Sequence, residues 1–464
     1  MLTYDMTKRR DKPLYIFLYE SIRDDIMADR LSPGEKLPSK RSLADHLNVG
    51  VITVANAYAQ LESEGYVEAE EKRGFFVRDI SGSKKGKKSH VFVPEEPEKE
   101  YFADFKANRS GICHFPTSTW SRYMREALSM PELLKTVPYK GLLVLRTAIA
   151  EYLAENRGMF VSPYQVIIGA GTEYLYSRLL QLFGRGCTFA VEDPGYQKFA
   201  KISDGSGALW KAVPIDEMGL NIEQLEISEA DVVHVSPANH FPTGIIMPIS
   251  RRAELLEWVS RARKRYIIED DYDCEFRYSG KNMLPLYAED SGNKVIYINT
   301  FSKSMIPSLR ISYMILPPEL LDRYEQTMSF YSCTVSSFEQ YALARFISEG
   351  HFERHINHLK NYYRQKRAQM LETIAASPLA EFSTVIERHA GTHFLLDVRT
   401  SLSGTEIRRR ALENDISISL VSDYSYTVPE AECRTLVINY AGVPVYRLTQ
   451  AVDRLAHLFP ECGK

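Results

Sequence analysis

Two rhythms of apolar positions divide the chain. In residues 12–78, Leu14, Phe17, Leu18, Ile22 and Ile26 recur at helical spacing, and Leu31-Ser32-Pro33-Gly34 ends that helix with turn chemistry. Lys36-Leu37-Pro38-Ser39-Lys40-Arg41 then gives a polar-capped start to a short amphipathic helix running to Leu47. A turn at Asn48-Val49-Gly50 hands over to a second short helix, Ile52 to Leu61. The strand-like runs Gly65–Ala69 and Gly74–Arg78 flank Glu70-Glu71-Lys72-Arg73, predicting a wing with a basic tip. Two short helices joined by a tight turn form a helix-turn-helix, whose second helix fits the major groove of duplex DNA.

From about residue 101 the rhythm changes to short apolar runs separated by helix-length segments. Val144–Leu153 reads as helix, as does the stretch from Gly171-Thr172-Glu173 through Leu182. Val166–Gly169, Phe189–Glu192, Val232–Val235, Tyr266–Glu269 and Val295–Ile298 read as buried strands. That alternation predicts a largely parallel, doubly wound α/β sheet with ligand groups at its strand ends. Between the two regions lies a basic, flexible stretch, Ser81–Ser89, followed by the acidic Pro94–Glu98. The predicted organisation is a DNA-binding unit at 1–78, a linker at 79–100 whose lysines could graze phosphates, and an effector domain at 101–464.

Composition narrows the picture. At 464 residues the chain exceeds what one core usually supports, and 44% apolar with 25% charged residues is ordinary for a soluble globular protein. The six cysteines form no CxxC pair, which favours a reducing cytoplasm and argues against a metal site. Neither a secretory leader nor a run of about 18 apolar residues is present, so no membrane association is expected. With a net charge of −3, and sixteen Lys/Arg against fourteen Asp/Glu in residues 1–90, DNA contact has to come from a local patch doubled by a dimer.

The candidate chemistry centres on Asn299-Thr300-Phe301-Ser302-Lys303-Ser304, just past the last buried run. Taken alone, a lysine in a serine-rich loop reads as a solvated surface residue. Here desolvation can lower its pKa enough for Schiff-base formation with an aldehyde, while Ser302, Ser304 and Arg310 can hold a phosphate. An aldehyde with a phosphate describes pyridoxal 5'-phosphate (PLP). The other strand ends add to this. Gly171-Thr172-Glu173 opens a helix whose N–H groups can receive a phosphate, and Asp270-Asp271-Tyr272 offers a carboxylate for a pyridinium nitrogen and a phenol for a ring hydroxyl.

Two resemblances sharpen these readings. Pro33-Gly34, Leu37-Pro38-Ser39, Arg41, Leu43-Ala44, Thr53-Val54, Ala57-Tyr58, Leu61-Glu62, Gly65 and Gly74–Val77 resemble the winged helix-turn-helix of the GntR family. The resemblance implies that Ser39, Lys40 and Arg41 approach phosphates or base edges, that Thr53 and Asn56 lie on the recognition helix, and that Arg73 reaches the minor groove. Where family members commonly carry Ser-Arg, this chain has Gly50-Val51. Residues 101–464 resemble the fold-type-I aminotransferases with a small C-terminal α+β subdomain, in particular the effector domain of MocR/GabR-type regulators. The resemblance rests on Gly171-Thr172-Glu173, Glu192–Tyr196, Ser236-Pro237, Phe241–Gly244, Glu269–Tyr272, Ser302-Lys303 and Arg310. It implies PLP on Lys303, Asp270 facing the pyridine nitrogen, Tyr272 on the ring oxygen and Tyr196 stacked on the ring. Gly171, Thr172, Ser302 and Arg310 would take the phosphate, and Tyr139 would contribute across a dimer interface.

Three positions depart from the aminotransferase pattern. Phe241 stands in the slot where Asn precedes Pro-Thr-Gly, leaving Tyr272 to reach the ring oxygen. Glu173, which the resemblance places in the cofactor-binding set, stands where Gln is frequent, and a carboxylate beside a phosphate is unfavourable unless its side chain turns away. Leu436-Val437-Ile438-Asn439-Tyr440 lacks the arginine that clamps a substrate carboxylate, leaving Lys198, Arg434 or His393 to hold it. The expected function is that of a PLP-dependent transcriptional regulator, a homodimer on a double-stranded DNA operator. By resemblance its effector is PLP or an amino compound such as gamma-aminobutyrate, taurine or D-alanine. The alternative is a working aminotransferase carrying a DNA-binding module.

Overall fold

A computed structural model describes residues 2–9, 12–79, 99–106, 114–278, 283–388 and 390–459. Most of the expected linker, 80–98, lies outside them. The chain divides into two compact units, Met1–Glu98 and Lys99–Lys464.

In the first unit, α1 (Leu14–Met27), α2 (Lys40–Leu47) and α3 (Val51–Ser63) precede a hairpin of β1 (Val67–Glu70) and β2 (Gly74–Val77). Ser39 caps α2, its hydroxyl oxygen accepting the Ser42 N–H at 3.1 Å. Asn48 closes α2 in the left-handed region at φ 53, which turns the chain sharply into α3. The helices bury matching stripes: Leu18, Ile22 and Ile26 of α1, Leu43, Ala44 and Leu47 of α2, and Val54, Ala57, Tyr58 and Leu61 of α3. Truncating one of the larger of these, Leu43→Ala for instance, should cost about 2–5 kcal/mol. The wing tip differs from the expected basic one. Arg73 pairs with Glu70 and lies 5.3 Å from the Phe76 ring centroid, so two acidic residues offset Lys72 and Arg73 there.

The second unit opens with β3 (Ala103–Asp104), α4 (Thr117–Leu128) and α5 (Leu143–Arg157). Its main sheet takes β4 (Val166–Gly169), β5 (Thr188–Asp193), β6 (Leu209–Asp216) and β7 (Gly219–Leu220), then β8 (Val232–Val235), β9 (Tyr266–Asp270), β10 (Val295–Thr300) and β11 (Ser312–Ile315). The order is β4-β11-β10-β9-β8-β5-β6-β7, parallel except for β7 and β11. Both faces are covered, which is why the strands read as unbroken apolar runs. Ile296 and Ile298 pack with Leu175 and Leu179 of α6 (Thr172–Phe183) on one face, and Tyr297 with Leu145 and Ile149 of α5 on the other. Asp193, Asp270 and Thr300 thereby end parallel strands on one edge.

A smaller antiparallel sheet, β12 (Ser383–Ile386), β13 (His393–Val398), β16 (Thr435–Asn439) and β15 (Ser419–Leu420), packs with the long helix His351–Ala375. β14 (Ile416–Ser417) pairs in parallel with β3, tying residues 103–104 to this subdomain. The pattern of apolar runs passed over β6, β7 and β11. Among the described residues no helix is long and apolar enough to cross a membrane.

Candidate functional site

Lys303 is placed by the end of β10. Thr300 caps the one-turn helix Phe301–Ser304, its hydroxyl accepting the Ser302 N–H at 3.2 Å and a hydrogen bond from Ser312 Oγ at 2.8 Å. One turn on, the lysine enters a cavity of about 280 Å³. Thr172, Glu173, Tyr196, Asp270, Tyr272, Ser302 and Arg310 line the same cavity, so eight of the residues singled out from sequence converge. Burial lowers the Lys303 pKa from 10.5, helped by the positive charge of Lys198 and opposed by Asp273 and Asp270.

Asp270 is held from behind. Tyr176 donates to its Oδ2 at 2.5 Å, and His234 Nε2 lies 3.6 Å from the same oxygen. Its Oδ1 is buried without a partner, as is Ser302 Oγ. Buried polar atoms without partners are costly, so these two mark where ligand groups belong: a donor facing Asp270 Oδ1 and an acceptor for the Ser302 hydroxyl. Behind them lies a buried ion pair of Arg157 with Asp271, to which Tyr297 also donates at 2.8 Å.

Gly171 begins α6 at φ 90, and a Cβ there would fall 2.2 Å from Arg310 Nη2. Arg310 itself sits in the left-handed region at φ 50. Its guanidinium pairs with Glu173 Oε2, while Lys198 Nζ donates to Oε1 at 2.8 Å. The glutamate therefore does not turn away: the two cations hold it at the mouth of the helix. Burial works to raise its pKa, but hydrogen bonds from Lys198 and Arg310 prevail and hold the carboxyl at about 2.

Tyr196 is positioned by a turn that needs glycine, since a Cβ on Gly195 would meet Glu192 O at 2.2 Å. That turn is strapped down by Gly195 N–H to Tyr424 O at 2.8 Å, and by Tyr426 N–H and Thr427 Oγ1 on Asp193 at 2.8 and 2.7 Å. Burial pushes the Glu192 carboxyl up to about 8.

The opposite wall comes from the small sheet and its flanks, Phe105, Lys106, His393, Ser419, Tyr424, Val437 and Asn439, together with Phe241 from the segment that follows β8. Two of the three residues expected to hold a carboxylate are corrected here. Burial, with the charge of Lys303, lowers the His393 pKa to about 4, and its Nε2 lies 3.0 Å from Pro242 O, so the ring is neutral and engaged. Arg434 instead donates to the carbonyls of Thr400 and Ala431 and is absent from the cavity lining. Tyr272 donates to Asn239 O at 3.0 Å, and Phe241 packs edge-on to Tyr424. Tyr139 does not line this cavity; it stacks on Tyr324, centroids 6.3 Å apart. The sequence reading missed Tyr176, His234, Phe105, Lys106, Ser419 and Tyr424. Only His234 carried a signal, as the one polar residue in an otherwise apolar strand.

In the first unit, Arg41 and Asn56 are exposed and Thr53 half-buried, while Lys40 lies 4.7 Å from the Phe75 ring centroid. Ser39 accepts as the α2 cap and keeps its proton to donate.

Two family models match this one chain: bacterial regulatory proteins of the gntR family over residues 14–77, and aminotransferase class I and II over 109–455. Relatives share the whole arrangement. The uncharacterised HTH-type transcriptional regulator YdeL of Bacillus subtilis is 36% identical over 98% of both chains. The chain belongs to the MocR-type GntR regulators. The probable rhizopine catabolism regulatory protein MocR of Rhizobium meliloti is 28% identical over 97% of this chain and 94% of its own. The pyridoxine biosynthesis transcriptional regulator PdxR of Corynebacterium glutamicum is 30% identical over 82% of each. Among solved structures, a multiple substrate aminotransferase from Thermococcus profundus matches with TM-score 0.70 at 22% identity, covering 82% of this chain and 98% of its own. This places the second unit of the MocR-type chain in the aminotransferase fold, whose family implies PLP dependence.

Proposed function

We propose that this MocR-type chain is a cytoplasmic, homodimeric transcription regulator that binds an operator through paired winged helices and uses its aminotransferase-like unit to sense PLP or a PLP-reactive amine. The reading rests above all on the convergence of Lys303 with two partnerless buried polar atoms, Asp270 Oδ1 and Ser302 Oγ, around one cavity. PLP bound there supplies an aldehyde that traps primary amines and a ring that withdraws electrons. Lys303 presents an amine whose proton is easily lost. Asp270, fixed by Tyr176 and His234, offers Oδ1 to a pyridinium N–H. Tyr196 covers one ring face, and Tyr272 approaches the ring oxygen. Thr172, Ser302, the α6 N–H groups and Arg310 receive the phosphate, with Gly171 leaving room for the guanidinium.

The sensing role, rather than turnover, rests on the far wall, where Val437 stands at the position at which the aminotransferase pattern carries its carboxylate-clamping arginine. The relative named for pyridoxine biosynthesis supports PLP itself as a candidate effector. The test is a spectral titration of purified protein with PLP and a panel of amines, paired with duplex binding in each state. Saturable PLP capture that shifts DNA affinity supports the reading. Sustained conversion of an amino donor to its oxo acid, with DNA affinity unchanged, would overturn it in favour of an enzyme.

A further inference from the structure

The recognition helix carries an unusual outer face. α3 buries Val54, Ala57, Tyr58 and Leu61 against the core, so Ile52, Asn56 and Ala59 form the opposite stripe, at helical spacing, and all three are exposed. Ile52 is 77% exposed and its neighbour Val51 43%. From Val51 to Ser63 the helix has no lysine or arginine, and its one charged residue, Glu62, lies near the C-terminal end. The cations of this unit lie elsewhere, Arg41 on α2 and Arg73 on the wing, where they can meet phosphates or the minor groove.

The chemistry of that stripe is selective. Guanine in the major groove is read chiefly by arginine or lysine on O6 and N7, and α3 offers neither. Adenine is read by a bidentate amide on N6 and N7, which Asn56 carries. Thymine is marked by its C5-methyl, which an apolar side chain contacts, and Ile52 stands one turn before Asn56 toward the helix N-terminus, the end that enters the groove deepest in helix-turn-helix docking. A β-branched side chain left this exposed loses water-facing apolar surface only when a ligand covers it, and a thymine methyl in the groove does so.

We infer that α3 reads an A·T core in each operator half-site, with Ile52 packing on a thymine methyl and Asn56 bonding adenine. Selection of bound duplexes from a random pool by the full-length, PLP-saturated protein should enrich half-sites with an A·T core. Replacing individual thymines there by deoxyuridine, which removes only the methyl, should weaken wild-type binding roughly three- to tenfold at one position. In Ile52→Ala, that same replacement should have no further effect. Replacing the contacted adenine by 7-deazaadenine should cost wild type roughly tenfold and Asn56→Ala nothing more. Because Ile52 and Asn56 are exposed, both variants should melt with wild type. Enrichment of G·C at the core overturns the inference. So does indifference to every deoxyuridine replacement, or an Ile52→Ala variant that keeps the methyl dependence or changes only the protein's own association state.

Discussion

The strand-end wall of the cavity is built from charge, whereas the small-sheet wall facing it is built, Lys106 apart, from rings and neutral polar groups. On the first, each functional group has a second partner that fixes it: Tyr176 and His234 behind Asp270, Thr300 before Lys303, Lys198 and Arg310 on Glu173. On the second, Phe241 meets Tyr424 and His393 edge-on, and Tyr424 donates to Ser419 at 3.1 Å. A wall of prearranged charge suits a ligand part that never varies, such as a phosphate and a pyridine. Rings and neutral donors suit the part that differs between effectors, because apolar and weakly polar contacts are exchanged at small cost.

Breaking the charged wall at Lys303 should have the largest effect. Lys303→Ala should abolish covalent capture of PLP, measured as borohydride-fixed label by mass spectrometry, while leaving the melting transition in place. Label retained at wild-type level on another lysine would remove the basis of the site assignment.

Next comes the foundation of that wall. Arg157 and Asp271 are both almost fully buried, at 5% and 1% side-chain exposure, so Arg157→Ala leaves a carboxylate uncompensated. The expected loss is about 3–5 kcal/mol in denaturant unfolding. On the other wall, Tyr424→Phe removes one neutral hydrogen bond and should cost about 1 kcal/mol. Equal losses from the two variants would erase the contrast between the walls.

The charged wall should also show itself in pH dependence. Lys303 attacks only as the free amine, and its pKa lies below 10.5. The rate of PLP capture should therefore rise with pH and level off at a midpoint below that of a free lysine. Lys198→Met removes a like charge and should move the midpoint up, whereas Asp273→Asn removes an opposing one and should move it down. Between the lowered value and 10.5 the unfolded chain holds the extra proton, so this group's contribution to stability rises with pH across that window. A midpoint at or above 10.5 would contradict the burial of the amine.

The two walls were also unequally legible in sequence. Motifs such as Gly171-Thr172-Glu173, Asp270-Asp271-Tyr272 and Ser302-Lys303 lie at strand ends, where a period change in apolar pattern marks a strand giving way to a turn or helix, and of these Thr172, Glu173, Asp270, Tyr272, Ser302 and Lys303 line one cavity. Phe105, Ser419 and Tyr424 come from separate loops and short strands brought together by the pairing of β3 with β14 and β15 with β16, long-range contacts that local periodicity does not encode. His393 and Arg434 were misread for a related reason. Their types suggested free cations, and only the fold shows one neutral by burial and the other bonded to carbonyls. β11 escaped notice because it runs antiparallel to both neighbours, outside the strand-helix alternation that marked the rest.

The smallest effect concerns Glu173, where the charged wall carries one negative group too many for an anion site. Its carboxylate occupies Arg310 and Lys198, the same cations a phosphate would use, and two like charges near one guanidinium repel. All three side chains are partly exposed, at 30% for Glu173, 49% for Arg310 and 58% for Lys198, so water and salt screen the interaction. Glu173→Gln keeps the shape and removes the charge. It should tighten binding of inorganic phosphate to the Lys303→Ala background, where capture cannot contribute, by about three- to tenfold at low salt. The gain should shrink toward unity near 1 M salt, where the Debye length falls to about 3 Å. Tightening that persists at high salt would mean that Glu173 acts by shape rather than charge, and weaker binding would mean that it orients Arg310 for the phosphate instead of competing with it.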